Sequence, residues 1–225
     1  MTAVSDRIIK VYVQGPIKRS EEDYYTLLPT LLSAGFQQPD IVCSPLVDTS
    51  LLKCENIFNI YDPFLQRGPI PPFSPDAAHL PLSKVAQMFT FATIIQAAAA
   101  LDAPDTSAII ILDSRTIARR DFFARLRDLV QKDSCTEWEC LSLAHTPKAL
   151  PEAADASYFS DPQLFQQEPM TPITVGAVAL RLSFVRKLVK TILPFRDPLE
   201  YELLFQTLLH KAGPHYVYPP VFDCR

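Results

Sequence analysis

Asp113-Ser114-Arg115 directly follows the apolar run Ala108–Leu112. An acidic residue just past a buried strand is a common place for a catalytic or phosphate-handling group. The other reading of the same residues is structural: Asp113 caps the next turn and Arg115 is solvated. A second candidate is Asp197, with Glu200 one turn further along. A carboxylate there can serve as a general base toward a hydroxyl. Asp197 immediately before Pro198 is equally a helix N-cap with proline at the first helical position. Val13, Gln14, Pro16 and Arg19 flank the end of the first strand and are candidates for ligand contact. For Arg19, as for Lys84 further along, the structural reading is a solvated surface charge. His145 follows the segment Trp138–Leu143 and is a candidate for contact with a second substrate.

The elements that must position these residues follow from hydrophobic period. Arg7–Val13 alternates and is β-branched, which predicts a first strand. Ser20, followed by Glu21, Glu22 and Asp23, predicts a helix start that runs through Leu27, Leu28, Leu31 and Leu32 and stops at Gly35. Asp40–Ser44 and Asn56–Tyr61 are expected as the second and third strands. Val85, Met88, Phe89, Ala92, Ile95 and Ala99 recur every three or four residues, so a helix is expected from Ser83 to about Leu101. Ala108–Leu112 is continuously apolar, as in a strand covered on both faces of a parallel sheet. Further helices are expected at Arg119–Gln131, Ser183–Ile192 (capped by Ser183) and Pro198–Lys211. Further strands are expected at Trp138–Leu143, Ile173–Leu180 and Tyr216–Tyr218. Strand–helix alternation of this kind implies an α/β fold, a doubly wound sheet with right-handed crossovers. Such sheets bind ligands at the carboxyl ends of their strands, which singles out the loops after Val13, after Tyr61 and at Asp113–Thr116.

Composition removes several classes of function. The 225 residues fit a single domain over 1–225, and 48% hydrophobic against 20% charged content is enough for a buried core. A net charge of −4 with no long Lys/Arg run argues against sequence-independent binding of nucleic acid. The longest apolar stretch, Met88–Leu101, is interrupted by Thr90, Thr93 and Gln96 and falls short of the roughly 20 residues of a membrane span. The N-terminal residues lack the apolar core and cleavage site of a signal peptide, so a soluble, cytoplasmic protein is expected. Five scattered cysteines (Cys43, Cys54, Cys135, Cys140, Cys224) include no C-x-x-C pair, which argues for reduced thiols and against a zinc site. No Walker sequence, G-x-G-x-x-G or G-x-S-x-G occurs. The 21 prolines against 5 glycines cluster in Pro63–Pro81 and Pro147–Pro172, which are expected as long loops around the scaffold.

The order of these parts resembles a known family. The apolar strand with its acidic turn leads to Arg120-Asp121-Phe122-Phe123, then a Trp-led strand, then Gly176-Ala177-Val178-Ala179-Leu180 before a helix, then Pro194-Phe195-Arg196-Asp197. This sequence of fragments resembles GT-A fold glycosyltransferases, in particular the lipooligosaccharide and collagen galactosyltransferase-like group and related viral and fungal sequences. Their strand ends in a liLEDD-type motif followed by a "dF…l" helix, and their second half shows a "g..aY.is" strand and a "p.D" turn. Lys18-Arg19 and Leu27–Phe36 are similar to the family's "R…l..tl.sL..aGf" opening. The resemblance implies one Rossmann-like domain with a mixed, mostly parallel sheet flanked by helices. It implies a hexosyl- or pentosyltransferase that takes a nucleotide-sugar donor and a glycan or other hydroxyl acceptor. Asp113, Arg115, Val13, Gln14, Arg19 and Lys84 would then contact the donor and its diphosphate, His145 the acceptor, and Asp197 or Glu200 would be the catalytic base.

The departure from the family lies in the turn itself. Relatives place acids on both sides of it, so that Mn²⁺ or Mg²⁺ bridges the donor diphosphate through hard oxygen ligands. Here only Asp113 remains as a metal ligand, and Arg115 takes the other place. One interpretation is a fixed guanidinium in place of the metal, with Asp113 holding a donor hydroxyl. The other is a fold that has lost catalysis and serves as a binding or scaffolding module. A nucleotidyltransferase, which would release pyrophosphate, is a third class.

Overall fold

The computed structural model describes residues 8–15, 20–52, 54–65, 80–119, 126, 138–144, 163–166, 171–218 and 220–224. The first half runs β1 (Ile8–Gly15), α1 (Ser20–Ser33), β2 (Ile41–Pro45), α2 (Cys54–Ile60), α3 (Leu82–Ala99) and β3 (Ala108–Asp113). The second half adds β4 (Thr116–Ala118), β5 (Cys140–Ser142), β6 (Gln163–Gln166), β7 (Ala177–Arg181), α4 (Leu182–Leu188), α5 (Leu199–Leu209), β8 (Pro214–Tyr218) and β9 (Phe222–Cys224).

A seven-stranded sheet has the order β2-β1-β3-β7-β5-β8-β6. Parallel pairing joins β2 to β1, β1 to β3 and β5 to β8, whereas β7 and β6 run against their neighbours. The result is a mixed, mostly parallel α/β sheet of Rossmann-like kind. Strand β3 explains why its sequence is continuously apolar. Ile109 and Ile111 pack into a core with α3, α4 and α5, while Ala108, Ile110 and Leu112 face the opposite way into a core with Leu27 and Leu31 of α1. Both faces are covered, so the sequence has no polar side to show. Each of these side chains is removed from water and contributes roughly 25 cal/mol per Å² of apolar area buried.

Several expectations hold. Helix α1 ends at Gly35, whose φ of 92° is the left-handed conformation glycine adopts without steric cost. The Gly35 amide donates to the Leu32 carbonyl and the Phe36 amide to that of Leu31, closing the helix by a Schellman pair. Helix α3 covers nearly the expected span, with Val85, Met88, Ala92 and Ile95 buried.

Other expectations are corrected. Asn56–Tyr61 is not a strand: Cys54–Ile60 is helical, and Tyr61 makes only an isolated bridge to Phe195. Phe58 and Asn59 are exposed while Ile60 and Tyr61 are buried, a pattern of period near four that no two-residue alternation fits. Within Ile173–Leu180 only Ala177 onward is strand. Ser183 does not cap its helix; α4 starts at Leu182, and the Ser183 hydroxyl instead donates to Glu139 Oε1 at 2.9 Å. The helix expected at Pro198–Lys211 spans Leu199–Leu209, and Pro198 itself takes the cap position expected of Asp197. Strands β4 and β9 pair with each other in a ribbon that period alone does not reveal in segments of three residues. Of the helix expected at Arg119–Gln131, residues 120–125 and 127–131 lie outside the described residues; Leu126 is helical and buried. Residues 66–79 and 147–162 of the proline-rich stretches also lie outside them. Among the described residues no helix is long and apolar enough to cross a membrane.

Candidate functional site

A cleft of about 290 Å³ opens at the carboxyl end of β3. Its walls come from four places in the chain. Lys84 and Gln87 project from the first turns of α3, Asp113, Arg115 and Thr116 from the β3–β4 turn, Glu200 from the first turn of α5, and Pro172–Gly176 form the segment entering β7. The volume lies just below the roughly 300–1,000 Å³ usual for small-molecule sites.

The turn is fixed from both sides. The Asp113 amide donates to the Gly176 carbonyl at 2.7 Å, and the Ser114 amide to the Gln14 carbonyl at 2.7 Å. The Thr116 hydroxyl donates to the same Gly176 carbonyl at 2.8 Å. The far wall is tied to α5, because the Ile173 amide donates to the Glu200 carbonyl. The floor and two walls are therefore held by backbone hydrogen bonds, so the polar side chains hang on a rigid frame.

The charges in this cleft are paired with one another. The Arg115 amide donates to Asp113 Oδ1 at 2.9 Å, in an Asx-turn. The guanidinium of the same residue folds back, with Nε on Oδ1 and Nη2 on Oδ2, each at 2.9 Å. The Arg115 side chain nevertheless remains 61% exposed. Lys84 Nζ lies 3.7 Å from Glu200 Oε1. Two cations and two carboxylates thus share one small opening. Burial pushes the Asp113 carboxyl up, but the hydrogen bonds from Arg115 and the positive charges of Arg115 and Lys84 outweigh it and hold the group below its ordinary range.

The expected site residues separate clearly. Asp113, Arg115, Lys84 and Glu200 come together in the cleft. Val13 does not reach it: its side chain is buried in the core under α1, on the opposite face of the sheet. Gln14 is on the same face as Asp113 and directly opposite it in register. Its amide is buried, and neither Nε2 nor Oε1 has a hydrogen-bond partner among the described residues. Asp197 is fully buried, paired with the equally buried Arg196 at 3.1 Å, and does not line the cleft. A carboxylate sealed in this way cannot meet an incoming hydroxyl, which corrects the expectation of a base at this position. Arg19 and His145 lie outside the described residues, as does Pro16. Thr116 lies in the turn that the sequence singles out, whereas Gln87 is not among the expected residues; it follows Lys84 by three residues on α3, and that helical spacing is the signal that finds it.

Among the described residues the side chains lining the cleft do not assemble the ligand set of a divalent-cation site. Mn²⁺ or Mg²⁺ needs several hard oxygen ligands, and the carboxylates lining the cleft are Asp113 and Glu200 alone among the described residues, each beside a cation. Among the described residues no group of three His, Cys, Asp or Glu side chains converges.

The buried Gln14 amide gives a first testable consequence. An unbonded polar group in a core costs about 1–3 kcal/mol. Gln14→Leu is therefore expected to raise the thermal midpoint of the ligand-free protein by roughly 2–4 °C for each kcal/mol recovered. Differential scanning calorimetry measures this; an unchanged or lowered midpoint would show that the amide is satisfied.

No family model matches the chain, and no curated protein is significantly similar to it.

Proposed function

We propose that this protein is a GT-A-like glycosyltransferase that moves a sugar from a nucleotide-diphosphate donor to a hydroxyl acceptor. One observation carries the reading: Asp113, Arg115, Lys84 and Glu200 converge on a cleft at the carboxyl end of the central strand. That is where a doubly wound sheet receives its ligands. In this reading the bond between the anomeric carbon and the diphosphate oxygen breaks, and the acceptor oxygen forms the new bond to that carbon. Arg115 and Lys84 face the leaving diphosphate, whose growing negative charge their fixed cations stabilise. Glu200 receives the acceptor proton, the role left vacant by the buried Asp197. No step is routed through a metal ion.

A specific observation favours a second reading, that of a binding or scaffolding module. The four charges of the cleft neutralise each other in pairs, which is also how a surface with no chemistry to perform would be arranged.

The two readings part in one assay. The full chain is incubated with a panel of nucleotide sugars, with and without Mn²⁺, and release of nucleoside diphosphate is followed alongside thermal shift. A transferase releases nucleoside diphosphate from at least one donor and is stabilised by the matching nucleotide without metal. Silence across the panel would leave the binding module. Release of pyrophosphate would instead identify a nucleotidyltransferase.

A further inference from the structure

The cleft holds its best anion-binding group closed upon a carboxylate of its own. Arg115 presents the planar donor fork that matches a phosphate bidentately, and in this structure that fork grips Asp113. The pair is local, made by residues two apart in one turn, so neither partner has to move far to exchange. Asp113 is mostly covered and tied by its backbone to Gly176, whereas the Arg115 side chain is largely exposed. The carboxylate is thus the enclosed member and the guanidinium the solvent-accessible one. The Asx-turn bond from the Arg115 amide keeps the loop closed whichever way the guanidinium points.

From this we infer that Asp113 is a displaceable internal counter-ion, and that a phosphate-bearing ligand enters the cleft by taking the Arg115 fork away from it. The inference deepens the transferase reading and rests on its premise that the ligand carries phosphate. It assigns Asp113 a different part from the one the family resemblance implies, which is to hold a donor hydroxyl or a metal ion. Ligand binding becomes an ion exchange. The incoming anion gains a bidentate contact with Arg115 and the charge of Lys84, and it must overcome the Asp113 carboxylate that it displaces. Such a site discriminates by charge density. A carboxylate ligand offers Arg115 nothing better than what it already holds, whereas a diphosphate, with more charge and more acceptor oxygens, does.

The charged groups that share the cleft with Asp113 are Arg115 on its own turn, Lys84 of α3 and Glu200 of α5. Because Arg115 and Lys84 hold the Asp113 carboxyl low, mild acid leaves the counter-ion charged. A substitution therefore has to do what pH does not.

Asp113→Asn is the informative variant, since an amide keeps an oxygen for the Arg115 backbone N–H while losing the charge. The probe is inorganic pyrophosphate, titrated calorimetrically without divalent metal at pH 7 into the full-length protein. Asp113→Asn is expected to bind it roughly fivefold tighter than the parent, the worth of a partly exposed ion pair. Arg115→Ala is expected to bind roughly tenfold more weakly. In the Asp113→Asn/Arg115→Ala double variant the gain disappears, because there is no guanidinium left to release. Circular dichroism melts establish that each variant is folded.

Weaker binding by a folded Asp113→Asn variant would overturn the inference, since the carboxylate would then be holding the ligand itself. A gain that survives in the double variant would overturn it too. So would the absence of any pyrophosphate binding. The transferase reading fails separately: it falls if no nucleotide sugar is turned over, whatever pyrophosphate does. Conversely, turnover together with a weakened Asp113→Asn variant would keep the enzyme and discard the counter-ion.

Discussion

Asp197→Ala is expected to destabilise the protein by about 3–5 kcal/mol, the usual cost of removing one member of a buried ion pair. For a chain of this length that lowers the thermal midpoint by roughly 10 °C. The cause is the surroundings of Arg196. Its side chain is almost completely buried and donates from Nε to Asp197 at 3.1 Å, while its guanidinium also lies 5.8 Å from the Phe205 ring centroid. Truncating the carboxylate leaves the guanidinium buried and deprives it of that partner. The same residues lead into a polar network within the core. The Arg196 amide donates to Glu202 Oε2, and Gln206 Nε2 donates to Glu202 Oε1 and to the Thr191 carbonyl. Urea titration of the parent and of Asp197→Ala measures the effect. A loss of turnover with unchanged stability would return Asp197 to the catalytic role that its sequence context first suggests.

Glu200→Gln, in contrast, is expected to leave the fold intact and abolish most of the chemistry. A general base contributes about 10²–10⁴-fold to a rate. On the proposed reading the turnover number falls by roughly that factor, while the affinity for nucleoside diphosphate changes little. Glu200 lies in the first turn of α5, on the cleft wall, with Lys84 as its neighbour. Its side chain is 30% exposed, so a solvated acceptor can approach it. The comparison with Asp197 is direct: two carboxylates three residues apart, one reachable and one sealed. Parallel measurements of turnover and of nucleotide binding decide the matter. An equal loss in both would make Glu200 a binding residue, and no loss in either would remove it from the reaction.

The failure to separate these two acids from sequence has a physical origin. Asp197-Pro198 has the residue types of a helix cap, and in helices a cap is normally at the surface. What the pattern does not contain is that Arg196, the residue before it, is buried and pairs with it, or that Tyr61 bridges to Phe195 across a long sequence separation. Glu202 and Gln206 were hidden for a related reason. They occupy the core-facing stripe of α5 together with Leu199 and Leu203, where helical period leads one to expect apolar side chains. Their burial depends on finding each other, and hydrogen-bond partners are not encoded in period.

By itself the sequence determined the α/β class, the buried strand Ala108–Leu112, the stop of the first helix at Gly35 and the acidic turn that lines the cleft. All of these follow from local rules: how often apolar residues recur, where glycine can relieve a positive φ, and which strand can lack a polar face. Only the tertiary structure decided that Lys84, Asp113 and Glu200 meet, that Val13 faces the wrong side of the sheet and that Arg115 rests on Asp113. The meeting of Lys84, Asp113 and Glu200 depends on contacts between residues tens of positions apart, the side on which Val13 lies depends on how the strands join one sheet, and the Arg115–Asp113 pair, though local, depends on the side-chain geometry of its turn. Charge and distance act through space, so the pairing of four ionised groups in one cleft became visible only once the chain had been brought back upon itself.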